Sequence, residues 1–421
     1  EISLGLVGSE MCIRDSGNVI VGQSGGPTSV INSSLVGVFQ GAKRAGCGKI
    51  YGMRNGLEGL LQERYVELND CIKNDLDIEI LKRTPSSFLG TCRYKLPHYE
   101  KDSAVYEKLF AILKKLDIKH FFYIGGNDSM DTIKKLAEYA SKINSDITFM
   151  GVPKTIDNDL DKTDHTPGYG SAAKYVASAM KEIILDTDTY TTDSITIVEI
   201  MGRNAGWLTA SAALARTEDC TGPDLIYLPE TPFSYDKFVS DILEVKKHKS
   251  SAIIALSEGI RNADGQYICE TQKDDMKLDV FGHKMLGETA LFLSDMVGKD
   301  TGMKSRGIVF STLQRCASHI VSRRDITEAY DAGATAVAAA LAGETGKMVI
   351  FKRISNEPYK VFTETHDIGD IANVEKTVPK EWITQNGTYV SQEFIDYARP
   401  LIIGELTPFM VDGLPRHLTI D

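Results

Sequence analysis

Short β-branched and aromatic runs alternate along the chain with longer stretches of helical periodicity. The apolar runs predict strands over 18–21 (NVIV), 49–53, 119–124 (KHFFYI), 147–152 (ITFMGV), 194–200 (SITIVEI), 224–228, 251–256 (SAIIAL), 307–311 (GIVFS) and 347–351. Apolar positions spaced three and four apart predict helices over 30–44, 103–116, 130–143, 170–187, 205–215, 235–246, 284–297 and 326–342. Strand–helix alternation predicts an α/β fold with mainly parallel, doubly wound, Rossmann-like sheets. No fixed-period repeat and no low-complexity linker interrupts the pattern. Turn residues in DLDKTDHTPGYG place a domain change near 160–170. Beyond about 378 the pattern is mostly irregular.

Open α/β sheets bind ligands beyond the carboxyl ends of their strands. Six polar loops begin where a predicted strand stops. Loops 22–28, 125–129 and 153–159 form one set, and loops 201–206, 257–259 and 312–315 a second. Each set converges on one sheet edge, so two edges are expected to face each other across a shared active-site cleft.

The length of 421 residues exceeds one ordinary core and predicts two domains with extensions. The net charge of −11 disfavours nucleic acid as a partner, because an acidic chain repels phosphate backbones. Local basic residues beside glycine loops therefore stand out. The seven cysteines contain no C-x-x-C pair and the eight histidines no H-x-x-x-H spacing, which disfavours zinc and points to reduced thiols in the cytoplasm. No apolar run approaches the ~20 residues that span a bilayer. Residues 1–16, ending in LGLVGSEMCIRDS, resemble translated adaptor read-through; they are expected to be a poorly ordered, artefactual extension, with the genuine start missing or replaced.

The loops carry the chemistry. GQSGGPTSVINSS (22–34) follows a strand and opens a helix, where glycines let backbone approach a phosphate. It lacks the Gly-Lys-Ser/Thr of a Walker loop, and a plain turn capped by Ser24 or Thr28 fits it equally. IGGNDS (124–129) reads either as a phosphate and metal loop or as a βα turn capped by Asp128 or Ser129. PKTIDND (153–159) gathers a lysine, a hydroxyl and carboxylates at one strand end. Lys154 can neutralise a phosphoryl group, and Asp157 or Asp159 can accept a proton from an attacking hydroxyl. A solvated Asx turn is the bland alternative. MGRNAGW (201–207) brings Arg203, the SEG loop Glu258, and Arg306 and Arg315 flank GIVFSTLQ. Arginine forks suit a sugar phosphate, and a carboxylate suits sugar hydroxyls. Arg93 in SSFLGTCRY adds a further cation.

GQSGGPTSVIN, FLGTCRY, IGGNDS, PKTIDND, IVEIMGRNAGW, SEG and RGIVFSTLQR follow the order and spacing of the phosphofructokinases over roughly 18–345. The chain resembles their pyrophosphate-dependent branch. ATP-using members carry glycine where this chain has Asp128 and Lys154. A carboxylate at 128 would meet the α-phosphate of a nucleotide; two like charges ~4 Å apart repel by about 4 kcal/mol at an effective dielectric near 20. The resemblance implies reversible phosphoryl transfer from pyrophosphate to fructose 6-phosphate with Mg2+. Asp157 would take the proton of the 1-hydroxyl. Gly26, Arg93 and Lys154 would hold pyrophosphate. Thr155, Asp157, Met201, Gly202, Arg203, Glu258, Thr312 and Arg315 would contact the sugar phosphate, and Arg306 would reach in from a neighbouring subunit of a homo-oligomer. The resemblance also implies a larger, pyrophosphate-binding domain over 17–165 and about 316–385, a smaller sugar-phosphate domain over 166–315, and a C-terminal extension over 386–421.

Five positions depart from the family pattern. Asn127 replaces the metal-associated acid of the Gly-Gly-Asp motif, which weakens that metal site and leaves Asp128 to contribute. Ser194 stands where many members have an arginine, and Thr312 where many have a histidine. Val36 and Gln40 replace effector-binding arginines, so no allosteric control is expected there. Two other readings keep the fold: an ATP-dependent enzyme, or a non-catalytic regulatory subunit, against which the intact PKTIDND loop argues. A non-sugar kinase sharing the Gly-Gly-Asp loop is disfavoured by the MGR and QR elements.

Overall fold

The computed structural model describes residues 17–272 and 288–420. The extension expected over 1–16 and the first residues of the helix expected over 284–297 lie outside the described residues.

Eleven strands build two sheets. β1 (Asn18–Gln23), β2 (Ile50–Met53), β3 (Tyr65–Glu67), β4 (Ile118–Gly125), β5 (Thr148–Pro153), β10 (Lys347–Asn356) and β11 (Tyr359–Asp367) form the larger, in the order β11-β10-β5-β4-β1-β2-β3. Its inner pairings are parallel, and only the edge strands β3 and β11 run antiparallel to their neighbours. β6 (Ser194–Ile200), β7 (Leu225–Tyr227), β8 (Ser251–Ser257) and β9 (Lys304–Val309) form an all-parallel second sheet in the order β7-β8-β6-β9.

The sequence dictates this layering through period-two alternation. Val19 and Val21 pack on one face of the larger sheet with Phe122 and Ile124, while Ile20, Phe121 and Tyr123 pack on the other. Both faces are buried, so parallel strands such as SAIIALS in β8 read as unbroken apolar runs. Each fully buried large apolar side chain contributes about 1.5–3 kcal/mol.

Helices Ile31–Arg44 and Arg323–Leu341 cross on the first face, and their contact is set by glycine. A Cβ on Gly333 would lie 2.2 Å from the Ser34 carbonyl oxygen, and one on Gly37 would lie 2.1 Å from that of Tyr330. Backbone against backbone cannot yield, so Gly333→Val should cost at least the ~1–3 kcal/mol of core overpacking, read by denaturant unfolding.

Most predicted elements are present, with informative differences. The strand expected over 307–311 lies at Lys304–Val309, and that expected over 347–351 runs on to Asn356 and pairs with the unpredicted β11. β11 alternates half-buried and exposed positions at a sheet edge, so its apolar signal is weak. The first glycine loop does not open a helix directly: the helix begins at Ile31, and Val30 caps it without a side-chain bond.

The tail is more ordered than its pattern predicts. Strands Ile383–Thr384 and Tyr389–Val390 pair, and helix Gln392–Ala398 follows. Val378, Phe394, Tyr397 and Leu401 are buried with Trp207 and helix Tyr169–Thr187 in one core. Two-residue strands and scattered aromatics carry no period long enough to read.

Candidate active site

The two loop sets meet. Strand order reverses beside β1, with β2 on one side and β4 on the other, and loops from β1, β4 and β5 open at that switch point. Facing them are loops from β6, β8 and the segment after β9. Between the edges lies a cavity of about 670 Å³. Lys154, Asp128 and Asp157 all line it, as do Gly26, Arg93, Asn127, Thr155, Met201, Arg203, Glu258 and Arg315.

The loop after β1 is shaped for close approach. Gly25 has φ +76°, a left-handed conformation that favours glycine, and a Cβ there would come within 3.4 Å of the Lys154 ammonium. The FLGTCRY segment braces it: Gly25 N–H donates to the Cys92 carbonyl (3.1 Å), and Thr91 Oγ1 donates to the Gly25 carbonyl (2.7 Å). Helix Asn127–Lys142 begins behind Gly126, with no side-chain cap. Neither Asp128 nor Ser129 caps it, and Asp128 sits half-buried in the first turn beside the cavity. Uncapped first-turn N–H groups favour an anionic ligand.

Lys154 is buried, and its Nζ donates to the Gly26 carbonyl at 2.6 Å. Burial pushes its pKa down to about 8; Asp157 and Asp159 oppose that fall, while Arg315 and Arg93 deepen it. Asp157 N–H donates to Thr155 Oγ1 (3.1 Å), whose hydroxyl donates to Asp157 Oδ2 (3.3 Å). Burial raises the Asp157 pKa, and the Lys154 charge restrains the rise. Asp159 is pushed up to about 7 by burial, Asp157 and Glu375, and Glu258 to about 7 by burial, Asp157 and Glu199.

Asn158 locks this loop from beneath. It is fully buried at φ +55°, its Oδ1 accepts from Thr166 N–H (3.0 Å), and its Nδ2 donates to the Tyr397 hydroxyl (2.8 Å).

On the opposite edge, Gly202 (φ +142°) donates its N–H to Glu258 Oε1 at 3.4 Å. Gly202 stands just behind the lining rather than in it. Arg203 lines the cavity, and its buried Nε has no partner among the described residues. A buried guanidinium N–H without a partner is costly unless a ligand satisfies it.

Thr312 is not among the residues that line the cavity. It is exposed at the start of the short helix Leu313–Cys316. Ser311, at φ +47°, turns the chain there. Gln314 points inward instead, and its Oε1 accepts from Met201 N–H (3.2 Å). Arg306 lies on β9 outside the cavity, with its half-exposed side chain 4.0 Å from Asp186.

The cavity also holds residues that sequence reasoning did not single out: Lys95, Asn204, Asn373 and Glu375. Asn373 and Glu375 arrive from beyond all the other loops in sequence, after β11, and no local pattern marks them. Asn204 lies inside MGRNAGW and was within reach of that motif.

Glycine-rich loops, a buried lysine and a cluster of carboxylates meet in one cleft at the edges of two doubly wound sheets, an arrangement suited to phosphoryl transfer. The chain belongs to the phosphofructokinase family, whose profile (Phosphofructokinase) matches residues 18–340. It is 38% identical over 403 residues to a pyrophosphate–fructose 6-phosphate 1-phosphotransferase of Halomonas elongata, covering 95% of both chains. It is 37% identical over 407 residues to the protein of the same name in Methylococcus capsulatus, covering 96% of both. The crystal structure of a pyrophosphate-dependent phosphofructokinase from Marinobacter aquaeolei superposes with a TM-score of 0.85 at 36% identity, covering 96% of this chain and 95% of that one.

Proposed function

We propose that the chain catalyses reversible phosphoryl transfer from pyrophosphate to the 1-hydroxyl of fructose 6-phosphate, giving fructose 1,6-bisphosphate and phosphate, as a step of glycolysis. The observation that carries this reading is the lining of one cavity by a buried lysine and two carboxylates, Lys154, Asp128 and Asp157. Relatives of nearly full coverage bear that activity in their names.

Asp157 accepts the proton of the 1-hydroxyl as its oxygen attacks the near phosphorus. The bond to the bridging oxygen breaks, and phosphate leaves with its growing charge against Lys154 and Arg93. Positioning and charge stabilisation dominate such transfers. Thr155, Met201, Arg203, Glu258 and Arg315 hold the sugar phosphate, and Gly202 steadies Glu258 from behind. Arg306, half-exposed and outside its own cavity, serves the sugar phosphate of a neighbouring copy in a homo-oligomer.

Asp128, Asp157, Asp159 and Glu375 all line the cavity, and burial, then Asp157 and Glu375, raise the pKa of Asp159. That donor set fits a divalent cation of the magnesium type. No preassembled group of three acidic, histidine or cysteine ligands exists among the described residues, and Asp128 and Asp159, which line the cavity, would hold such a cation. When bound, it neutralises charge on the diphosphate.

A donor comparison tests the proposal. Purified protein with fructose 6-phosphate and magnesium should turn over with pyrophosphate at least about a hundredfold faster than with ATP, a gap that the repulsion at Asp128 can supply. Comparable ATP turnover would favour the ATP-dependent reading, and sugar-phosphate binding without turnover on either donor would favour a regulatory subunit.

A further inference from the structure

Residues 373–378 leave the larger sheet after β11 and touch three site loops in succession. The Asn373 N–H donates to Asn127 Oδ1 (3.0 Å), and Asn127 Nδ2 donates to the Val374 carbonyl (2.9 Å). Glu375 bridges to Leu160 in antiparallel fashion, and Lys376 N–H donates to the Asp159 carbonyl (2.7 Å). On the facing edge, Glu375 Oε1 accepts from Asn204 Nδ2 (3.0 Å), and Trp207 Nε1 donates to the Lys376 carbonyl (2.8 Å). Glu230 Oε1 finishes the run, accepting from both Val378 N–H (3.0 Å) and Gly206 N–H (2.8 Å).

We propose that residues 373–378 are a strap that holds the donor loop, the proton-accepting loop and the sugar-side loop in register, and that Asn127 is its clasp. Asn127 is then a positioning residue of the transfer site and not a metal ligand. This rests on the reading of the cavity given above.

The chemistry of the amide explains the residue. Asn127 donates with one terminal atom and accepts with the other, and an asparagine of this reach is the side chain that does both at once. An aspartate would keep the bond from Asn373 N–H but set a second oxygen against the Val374 carbonyl, acceptor facing acceptor. The departure from the acidic residue of the family motif is therefore a gain of the clasp rather than a decayed metal site. The strap also joins both sheet edges, because Asn127 follows β4 while Asn204 and Trp207 follow β6.

The experiment uses the full chain with Trp382→Phe as the parent. Only two tryptophans exist, so Trp207 then reports alone, and its indole is bonded to the strap. Asn127→Asp and Asn127→Ala are assayed for kcat, for KM of both substrates, for magnesium dependence and for Trp207 emission and quenching. Expected for both variants is a fall in kcat of up to about a hundredfold, the scale of a small misplacement of reacting groups, with little change in KM for fructose 6-phosphate. Trp207 emission should shift and quenching rise, and the aspartate should not lower the magnesium requirement.

The proposal is overturned if Asn127→Asp keeps or raises kcat while lowering the magnesium requirement, since the side chain would then be a metal ligand. It is equally overturned if Asn127→Ala keeps full kcat, or if Trp207 emission stays unchanged in both. Emission is read without turnover, so a parent protein inactive with pyrophosphate would sink the proposed function while leaving the strap separately testable.

Discussion

Replacing Lys154 by methionine should make the protein more stable and less active. Methionine keeps most of the length and volume of the side chain and removes its charge. Burial has driven the lysine pKa from 10.5 to about 8. Below pH 8 the group is protonated in both folded and unfolded chains, and the folded chain carries the penalty. A shift of that size corresponds to about 3 kcal/mol at 1.36 kcal/mol per pKa unit. Losing the bond to the Gly26 carbonyl gives back about 1 kcal/mol, leaving a net stabilisation of roughly 2 kcal/mol at pH 7. The same charge should be worth about 4 kcal/mol against a phosphoryl oxygen ~4 Å away at an effective dielectric near 20, so kcat/KM for pyrophosphate should fall about a thousandfold. Urea unfolding at pH 7 and at pH 10 measures the first effect. Relative to the methionine variant, the wild type should gain stability between pH 8 and 10.5 as the lysine loses its proton. Steady-state assays with pyrophosphate measure the second effect. A variant that is less stable than the wild type and keeps turnover within about tenfold would refute the placement of this ammonium as a strained functional charge.

Asp157→Asn should lower kcat by about 10²–10⁴, the usual worth of general-base help, while calorimetry still detects fructose 6-phosphate binding. His165 offers a pH prediction away from the cavity. It is buried between Asp164 (2.7 Å) and Glu328 (2.8 Å). Burial alone would lower its pKa, but Glu328 and Asp164 raise it to about 9. The folded pKa exceeds the unfolded one, so its stabilisation is complete below pH 6.5 and disappears as pH rises through about 9. The His165 contribution should therefore fall by a few kcal/mol across that window, read as the difference between wild type and His165→Asn in a pH series of denaturant melts.

Much of the site was readable in the sequence because parallel sheets impose a simple rule: polar loops at the carboxyl ends of strands converge. PKTIDND, IGGNDS and MGRNAGW each follow a buried apolar run that ends sharply, and their side chains share one cavity. What escaped notice depends on long-range contact. Glu375 and Asn373 follow an edge strand with little apolar signal and reach the cavity only through bonds to residues about 170 and 246 positions away. Tyr397 steadies Asn158 from a tail whose aromatic residues follow no period. A motif fixes the order of residues but not the direction of each side chain: after the turn at Ser311, Thr312 is exposed and Gln314 is buried against Met201.

The central claim is that an ammonium at 154 and a carboxylate at 128 admit a small inorganic donor and exclude a nucleotide. The most direct measurement is the ratio of kcat/KM for pyrophosphate to that for ATP in the wild type and in Asp128→Gly/Lys154→Gly. Pyrophosphate use should be lost in the double variant, and the ratio should collapse by at least about a thousandfold. An unchanged ratio, with pyrophosphate turnover intact, would contradict it.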